Sequence, residues 1–198
     1  IGNNIYVEGS MIKAGGVTVN NSYEFVKLNT TSNALPADTT TLLGTEFTST
    51  GSDGIKFEVL KVVAATGGDP DTLYVRYTYT KDATAGEGTL RAPDNTNITN
   101  GSVTLTTAAS NATGVGIVVN IQNGIFYAKG NFVFTEDQSL IISKYSDTFT
   151  GDVGFKVIED VVTSDDDTSL FDNQGAVPNT ASPGADRYRI RLSLIDKA

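Results

Sequence analysis

The side chains best suited to chemistry are three consecutive carboxylates at positions 165–167. Carboxylate oxygens are preferred ligands of Ca²⁺, so this run could begin a calcium-binding loop. The EF-hand pattern requires glycine at position six and glutamate at position twelve, but the chain has Leu170 and Ala176 there. The EF-hand is therefore excluded, while a calcium site of another kind stays open. Its candidate ligands are Asp165, Asp167 and Asp172.

The same region could supply the carboxylate pair of a glycoside hydrolase. Such enzymes place two carboxyl groups across a cleft, one as an acid and one as a base or nucleophile. Glu159, Asp160 and the run 165–167 are the candidates. Nothing in the neighbouring sequence would raise the pKa of one carboxyl and not another, which this chemistry needs. Hydrolysis is therefore the weaker of the two chemical hypotheses.

An architectural role explains more of this segment. Ser164 is a residue type that caps helix N-termini, and aspartates after it would lie in the first turn, where the helix dipole favours anions. Asn173 and Gly175 are typical of a helix end. We therefore predict one short helix near residues 165–172. Its buried contacts are expected to be Leu170 and Phe171.

The chain has no cysteine and no histidine, which removes several kinds of chemistry. Nucleophilic triads of the Ser-His-Asp and Cys-His types and zinc sites of thiolate and imidazole cannot be built from it alone. Only carboxylate chemistry and oxygen-ligated metals remain. We predict no catalytic residue, no metal ligand and no cofactor, and the protein is not expected to be an enzyme.

The charge balance bears on the partners. The chain carries 14 Lys and Arg residues against 23 Asp and Glu residues, a net charge of −9. Nucleic-acid-binding surfaces are basic, so no nucleic acid is expected. No apolar run approaches the roughly 20 residues of a membrane span, so no membrane insertion is expected. No signal peptide is visible, and a chain beginning at Ile1 is expected to be a piece of a longer product or a processed one.

Alternation with period two is the dominant pattern. In residues 73–80 (LYVRYTYT) and 187–194 (RYRIRLSL), large apolar side chains recur at every second position. Successive strand side chains point to opposite faces, so each segment predicts a half-buried strand. Asn123-Gly124 lies between two apolar runs and predicts a hairpin, and a second turn is predicted at 128–131. The fold class is therefore all-β, with sandwich-like or irregular sheets.

Two small β domains are predicted along the chain. Residues 80–101 are polar and rich in turn formers, and residues 107–114 (TAASNATG) resemble a linker. We place the boundary at Asn111, which gives a domain of residues 1–111 and a domain of residues 112–198.

Arg187 opens the last predicted strand, at the end of a predicted turn at Pro183–Arg187. Its planar guanidinium suits a carboxylate partner. We predict that Arg187 pairs with Asp160 or Glu159 and fastens the preceding loop to the sheet. The alternative is a solvated basic face that Arg187 shares with Arg189 and Arg191.

Residues 153–194 have the sequence VGFKVIEDVVTSDDDTSLFDNQGAVPNTASPGADRYRIRLSL. This segment resembles a domain-of-unknown-function family of tailed-bacteriophage tail fibre and baseplate proteins. The family pattern is VGF-x-[IV]-x-E-x-[IV]-[VI]-T, then acids with S-L-x-D-N-A-x-G, then N-x-A-x-P-G-A-[DN]-R and an alternating strand. Residues 123–145 are also similar to the family, and Gln174 departs from its usual alanine. The matching positions are Gly154, Phe155, Glu159, Thr163, Ser169, Leu170, Asp172, Asn173, Gly175, Asn179, Pro183, Gly184, Ala185, Asp186 and Arg187.

The resemblance implies a non-catalytic structural role in the tail fibre or baseplate of a bacteriophage virion, assembled in the host cytoplasm. The expected partners are other tail or baseplate subunits and copies of the chain itself, a trimer by analogy with fibres. The alternative function is a module that binds a host-surface glycan or protein through Tyr74, Tyr77 or Tyr79. Ordinary cross-strand packing is the favoured interpretation of these tyrosines.

Overall fold

The structure is a computed structural model that describes residues 7–13, 15–31, 35–51, 54–80, 91–171 and 185–197. These described residues form an all-β fold, as predicted, with antiparallel sheets and two single-turn 3-10 helices at Thr39–Leu42 and Thr168–Leu170. No helix in these ranges is long and apolar enough to cross a membrane. The strands are β1 Met11–Lys13, β2 Val17–Lys27, β3 Glu46–Ser49, β4 Lys56–Val63, β5 Thr72–Tyr79, β6 Asn97–Thr99, β7 Thr104–Thr106, β8 Thr113–Ile121, β9 Gly124–Ala128, β10 Asn131–Thr135, β11 Gln138–Ser143, β12 Asp152–Val162 and β13 Arg187–Lys197.

The chain forms two compact units, each assembled from segments that are distant in sequence. The first unit comprises Ile1–Thr18, Val119–Leu140 and Thr150–Ala198, and the second comprises Val19–Val118 and Ile141–Phe149. Each unit takes residues from both sides of Asn111. The division into domains of residues 1–111 and 112–198 stays a prediction, because compactness does not show which segments fold on their own.

The second unit is organised by an eight-stranded sheet in the order β11-β8-β2-β5-β4-β3-β6-β7. Alternation along β4 and β5 places Phe57 and Val59 opposite Tyr77 and Val75, on the face that packs into the core. The core is completed by side chains from neighbouring strands and the first 3-10 helix. Its buried members are Val26, Leu28, Leu42, Phe47, Phe57, Val59, Leu73, Val75, Ala92, Ile98 and Leu105.

The first unit contains a three-stranded sheet, β1-β9-β10, and a two-stranded ribbon, β12-β13. The turn predicted at 128–131 joins β9 to β10, and its central residues Lys129 and Gly130 have positive φ values of 52° and 80°. The hairpin predicted at Asn123-Gly124 is wrong. There β8 passes into β9, these strands belong to different sheets, and the Asn123 N–H donates to Asp137 Oδ1 at 2.6 Å.

The ribbon is long and regular. Its two strands pair over eleven residues each, from Asp152 opposite Lys197 to Val162 opposite Arg187, without a bulge. One face packs apolar side chains on the three-stranded sheet, with Phe126 and Phe155 edge to face at 4.8 Å between ring centroids. The side chains of this small core are Ile121, Phe126, Ala128, Val133, Phe155, Val157, Ile190, Leu192 and Leu194.

Candidate assembly surface

The short helix predicted near residues 165–172 is confirmed as the 3-10 turn Thr168–Leu170, but its cap differs from the prediction. The N-cap is Asp167, whose carboxylate accepts from the Ser169 N–H at 2.9 Å, and not Ser164. Ser164 lies in a separate turn, closed by the N–H groups of residues 166 and 167 donating to the Thr163 carbonyl. Leu170 is buried, and its carbonyl accepts from the Ala185 N–H at 3.2 Å.

The three aspartates do not converge on a common site. The Asp166 carboxylate accepts from the N–H and Oγ1 of Thr163, both at 3.0 Å, and these bonds hold its pKa below the usual range. Hydrogen bonds from Ser169 lower the pKa of Asp167 in the same way. Within the described ranges no cluster of three or more acidic side chains could hold a metal ion. Several positions of the family pattern lie outside these ranges: Asp172, Asn173, Gly175, Asn179, Pro183 and Gly184.

The outer face of the ribbon carries a row of arginines. Asp160 lies directly opposite Arg189, which donates to both carboxylate oxygens at 2.9 and 2.8 Å, and Arg191 adds a contact of 2.7 Å. The guanidinium of Arg189, then that of Arg191, keeps the pKa of Asp160 well below its usual range. The predicted pairing of Arg187 with Asp160 or Glu159 is wrong, because the register places Arg187 opposite Val162.

Glu159 points to the opposite face of the ribbon. It accepts a hydrogen bond from the Tyr188 hydroxyl, and its other oxygen lies 3.2 Å from Lys129 Nζ. The Tyr188 hydroxyl, followed by Lys129, lowers the pKa of Glu159. Glu159 and Asp160 thus sit on opposite faces and both favour the ionised form. The structure does not bring this candidate acid pair together across a cleft.

Several large apolar side chains of β10 and the ribbon are exposed. Phe132 and Phe134 on β10 are 58% and 61% exposed, and Tyr188 and Val161 on the ribbon are 60% and 55% exposed. Phe132, Phe134, Tyr188 and Ile190 line one shallow pocket of about 260 Å³. We call these exposed side chains (Phe132, Phe134, Val161 and Tyr188) the apolar rim.

The amide of Gln138 reveals which backbone groups of the ribbon face outward. Its Nε2 donates to the Leu192 carbonyl and its Oε1 accepts from the Leu194 N–H, both at 2.8 Å. Leu192 and Leu194 thus direct their backbone groups away from β12. Paired residues of an antiparallel ladder alternate between bonded and non-bonded pairs, so the residues facing them on β12 also direct their backbone groups away. These outward residues are Val153, Phe155, Val157, Glu159 and Val161.

The tyrosines predicted as alternative ligand contacts are mostly packed into the second unit. Tyr74 is fully buried, stacks on Tyr23 at 4.8 Å and donates its hydroxyl to the Lys144 carbonyl at 3.2 Å. Tyr77 is half-buried, its hydroxyl accepts from the Ala92 N–H, and burial raises its pKa to about 12. Only Tyr79 of the three is exposed. The structure therefore does not bring them together on one open surface.

No protein-family description matches the sequence, and no curated protein or solved structure shows significant similarity to it.

Sequence reasoning missed Gln138 and the apolar rim. Gln138 opens β11, a position at which a glutamine is unremarkable, and its partner strand is more than fifty residues away. The sequence does contain a pattern that bears on the apolar rim, since residues 131–135 (NFVFT) have a phenylalanine on each side of a valine. Alternation showed that the phenylalanines share a face, but not that Val133 takes the buried one.

Proposed function

We propose that this protein is a non-catalytic structural subunit of a tailed-bacteriophage virion, located in the tail fibre or baseplate. It would assemble in the host cytoplasm with other tail proteins and with copies of itself. The resemblance of residues 153–194 to a tail fibre and baseplate family supports the setting. The observation that carries the structural role is the long, regular β12–β13 ribbon, whose β12 edge is unpaired in the described part of the chain.

Unpaired strand edges are templates for pairing with another chain. Proteins that stay monomeric blunt such edges with proline, bulges or charged side chains. Strand β12 has no proline and no bulge over its eleven residues, and two of its charged side chains, Glu159 and Asp160, are paired with Lys129 and Arg189. The apolar rim beside it adds aromatic area of the type enriched in protein interfaces. A subunit covered by neighbours in an assembly accounts for both features.

Immunogold electron microscopy tests this proposal. Antibodies raised against the recombinant chain are expected to label the tail fibre or baseplate of virions whose genome encodes it. Labelling confined to the capsid, or its absence from purified virions that infect normally, would overturn it. Scattering measurements of mass in solution would show how many copies associate, three being the number expected by analogy with fibres.

A second candidate function is host-surface recognition. It is favoured by the apolar rim rather than by Tyr74 or Tyr77, because aromatic side chains beside a shallow pocket and the Glu159–Lys129 pair could contact a glycan ring and its hydroxyls. Glycan-array binding that is lost in Phe134→Ala, with an unchanged unfolding midpoint, would support it. An array without signal would leave only the structural role.

A further inference from the structure

We propose that the outer edge of β12 pairs with the β12 edge of a second copy, forming a continuous four-stranded antiparallel sheet β13-β12-β12-β13. This inference rests on the self-association contained in the proposed function, and it gives a two-fold dimer where the analogy with fibres gives a trimer, because an isologous contact joins two copies. The N–H and C=O groups of the five outward residues of β12 have no hydrogen-bond partner among the described residues. In the same residues, β12 is paired with β13 along its other edge.

The edge is well suited to ladder formation. It is rich in β-branched residues, with Val153, Val157, Ile158, Val161 and Val162 along eleven positions. The ladder with β13 keeps one register throughout, so the edge presents its groups at a regular spacing. A second strand could therefore bond along its full length and not at one point.

The side chains select one antiparallel register. Three antiparallel registers pair at least nine of the eleven residues of β12, with a two-fold axis through Lys156, Val157 or Ile158. An axis through Lys156 places two lysines directly opposite each other, which is destabilising. An axis through Val157 places Lys156 opposite the partner's Ile158, so that no acidic side chain lies directly opposite the lysine.

An axis through Ile158 gives complementary pairs. Lys156 then faces Asp160 of the partner subunit, and the reciprocal pair forms by symmetry. Lys156 then lies at the end of the partner's ribbon that carries more acidic than basic side chains. Four aspartates (160 and 165–167) stand there against three arginines (187, 189 and 191). The acidic turn at 165–167 follows the end of β12, where Val162 faces Arg187.

The same register covers exposed apolar surface. Val161, which is 55% exposed, would lie opposite Phe155 of the partner subunit on the face that also holds the apolar rim. Ile158 would pack on its own symmetry mate at the axis. Charge complementarity, burial of apolar side chains and backbone hydrogen bonding thus all favour a second copy of this chain as the partner of the β12 edge.

Cysteine cross-linking tests the register, because the chain contains no cysteine of its own. In Ile158→Cys the two thiols lie in a non-hydrogen-bonded pair with Cα atoms about 4.5 Å apart, within disulfide reach. Mild oxidation is expected to give a covalent dimer. The matched control is Gly154→Cys on the same face, where the two copies lie eight residues, or roughly 26 Å, apart along the strand. This position has open space for a side chain and leaves Lys156 and Asp160 in place. It should stay uncross-linked, and efficient cross-linking of Gly154→Cys instead would overturn the register.

A proline variant tests the edge itself. Val161→Pro removes an N–H that faces away from β13, so the ribbon keeps its own ladder and proline is tolerated there. The expected result is loss of the non-covalent dimer by light scattering, with an unchanged far-UV spectrum. Val162→Pro, which removes an N–H directed at β13, should instead destabilise the ribbon.

The outcomes separate this inference from the proposed function. An oligomer that persists in Val161→Pro and does not cross-link through Ile158→Cys refutes the edge pairing and leaves virion assembly standing. A chain that is monomeric at every concentration also refutes the edge pairing, and immunogold labelling still decides the virion role. Disulfides of Ile158→Cys only with another virion protein would assign the edge to that protein and overturn self-pairing.

Discussion

Asp160 faces Arg189 across the β12–β13 ladder and accepts hydrogen bonds from its Nε at 2.9 Å and its Nη2 at 2.8 Å. This bidentate pair, joined by Arg191, is the centre of the charged face of the ribbon. It is exposed to solvent, so its effect on stability depends on pH and salt more than on burial.

Acidification is expected to loosen the ribbon. The folded-state pKa values of Asp160, Glu159 and Asp166 are depressed below the ordinary 3.8 to 4.5. A depressed carboxyl pKa stabilises the fold above the unfolded pKa, and that contribution is lost as the pH falls through the folded pKa. The unfolding midpoint should therefore be flat above about pH 5.5 and fall as the pH decreases below about 4.5, an order-of-magnitude window from the ordinary carboxyl values. Denaturant titrations at successive pH values measure this.

The control for that experiment is Asp160→Asn. It should be less stable than the unsubstituted chain at neutral pH, and its midpoint should depend less on pH in the acidic window. High salt should reduce the difference between the two, because it screens exposed charges. An identical acid dependence in both chains would contradict the assignment.

The three arginines of the row are expected to differ in their effect on Asp160. Arg189→Gln removes the bidentate donor and should raise the Asp160 pKa most, whereas Arg191→Gln removes one contact and should raise it less. Arg187→Gln is the matched control, since Arg187 faces Val162. Carboxyl titration by NMR gives the three values directly, and the largest rise in Arg187→Gln would refute the register.

Gln138 is expected to stabilise the ribbon through its side-chain amide. Replacement by alanine leaves the Leu192 carbonyl and the Leu194 N–H without their partner, and a lost hydrogen bond at a half-buried group costs about 1–3 kcal/mol. Gln138→Glu separates the two bonds, because it keeps an acceptor for Leu194 but has no donor for Leu192 at neutral pH. Equilibrium unfolding should rank the unsubstituted chain above both variants, and equal stability of all three would show that water replaces the amide.

The sequence carried the fold class because alternation is a local property. Residues 73–80 and 187–194 reveal their strand character without knowledge of any partner, and both became long strands, β5 and β13. Strand register is not a local property, because the sequence of the arginine row does not indicate which of the three arginines faces Asp160. Sheet membership is also non-local: Asn123-Gly124 has the composition of a hairpin turn, yet β8 and β9 find partners elsewhere. The same limit hid Gln138 from the sequence analysis.

Gly116 lies so close to a neighbouring backbone segment that a larger side chain does not fit. A Cβ on Gly116 of β8 would lie 2.6 Å from the Ser143 carbonyl oxygen and 2.8 Å from that of Lys144. These are main-chain atoms at the end of β11, so Gly116→Ala must displace the backbone there and should cost roughly 1–3 kcal/mol of unfolding free energy, as overpacking does. Gly154 of β12 is the matched control, because a Cβ at that position would have no atom within 4 Å. Gly154→Ala should leave stability unchanged or raise it by up to about 1 kcal/mol through the reduced entropy of the unfolded chain. Denaturant midpoints compared between the two variants decide the matter, and equal losses in both would show that the cost is a general effect of alanine in strands and not of the contact with Ser143.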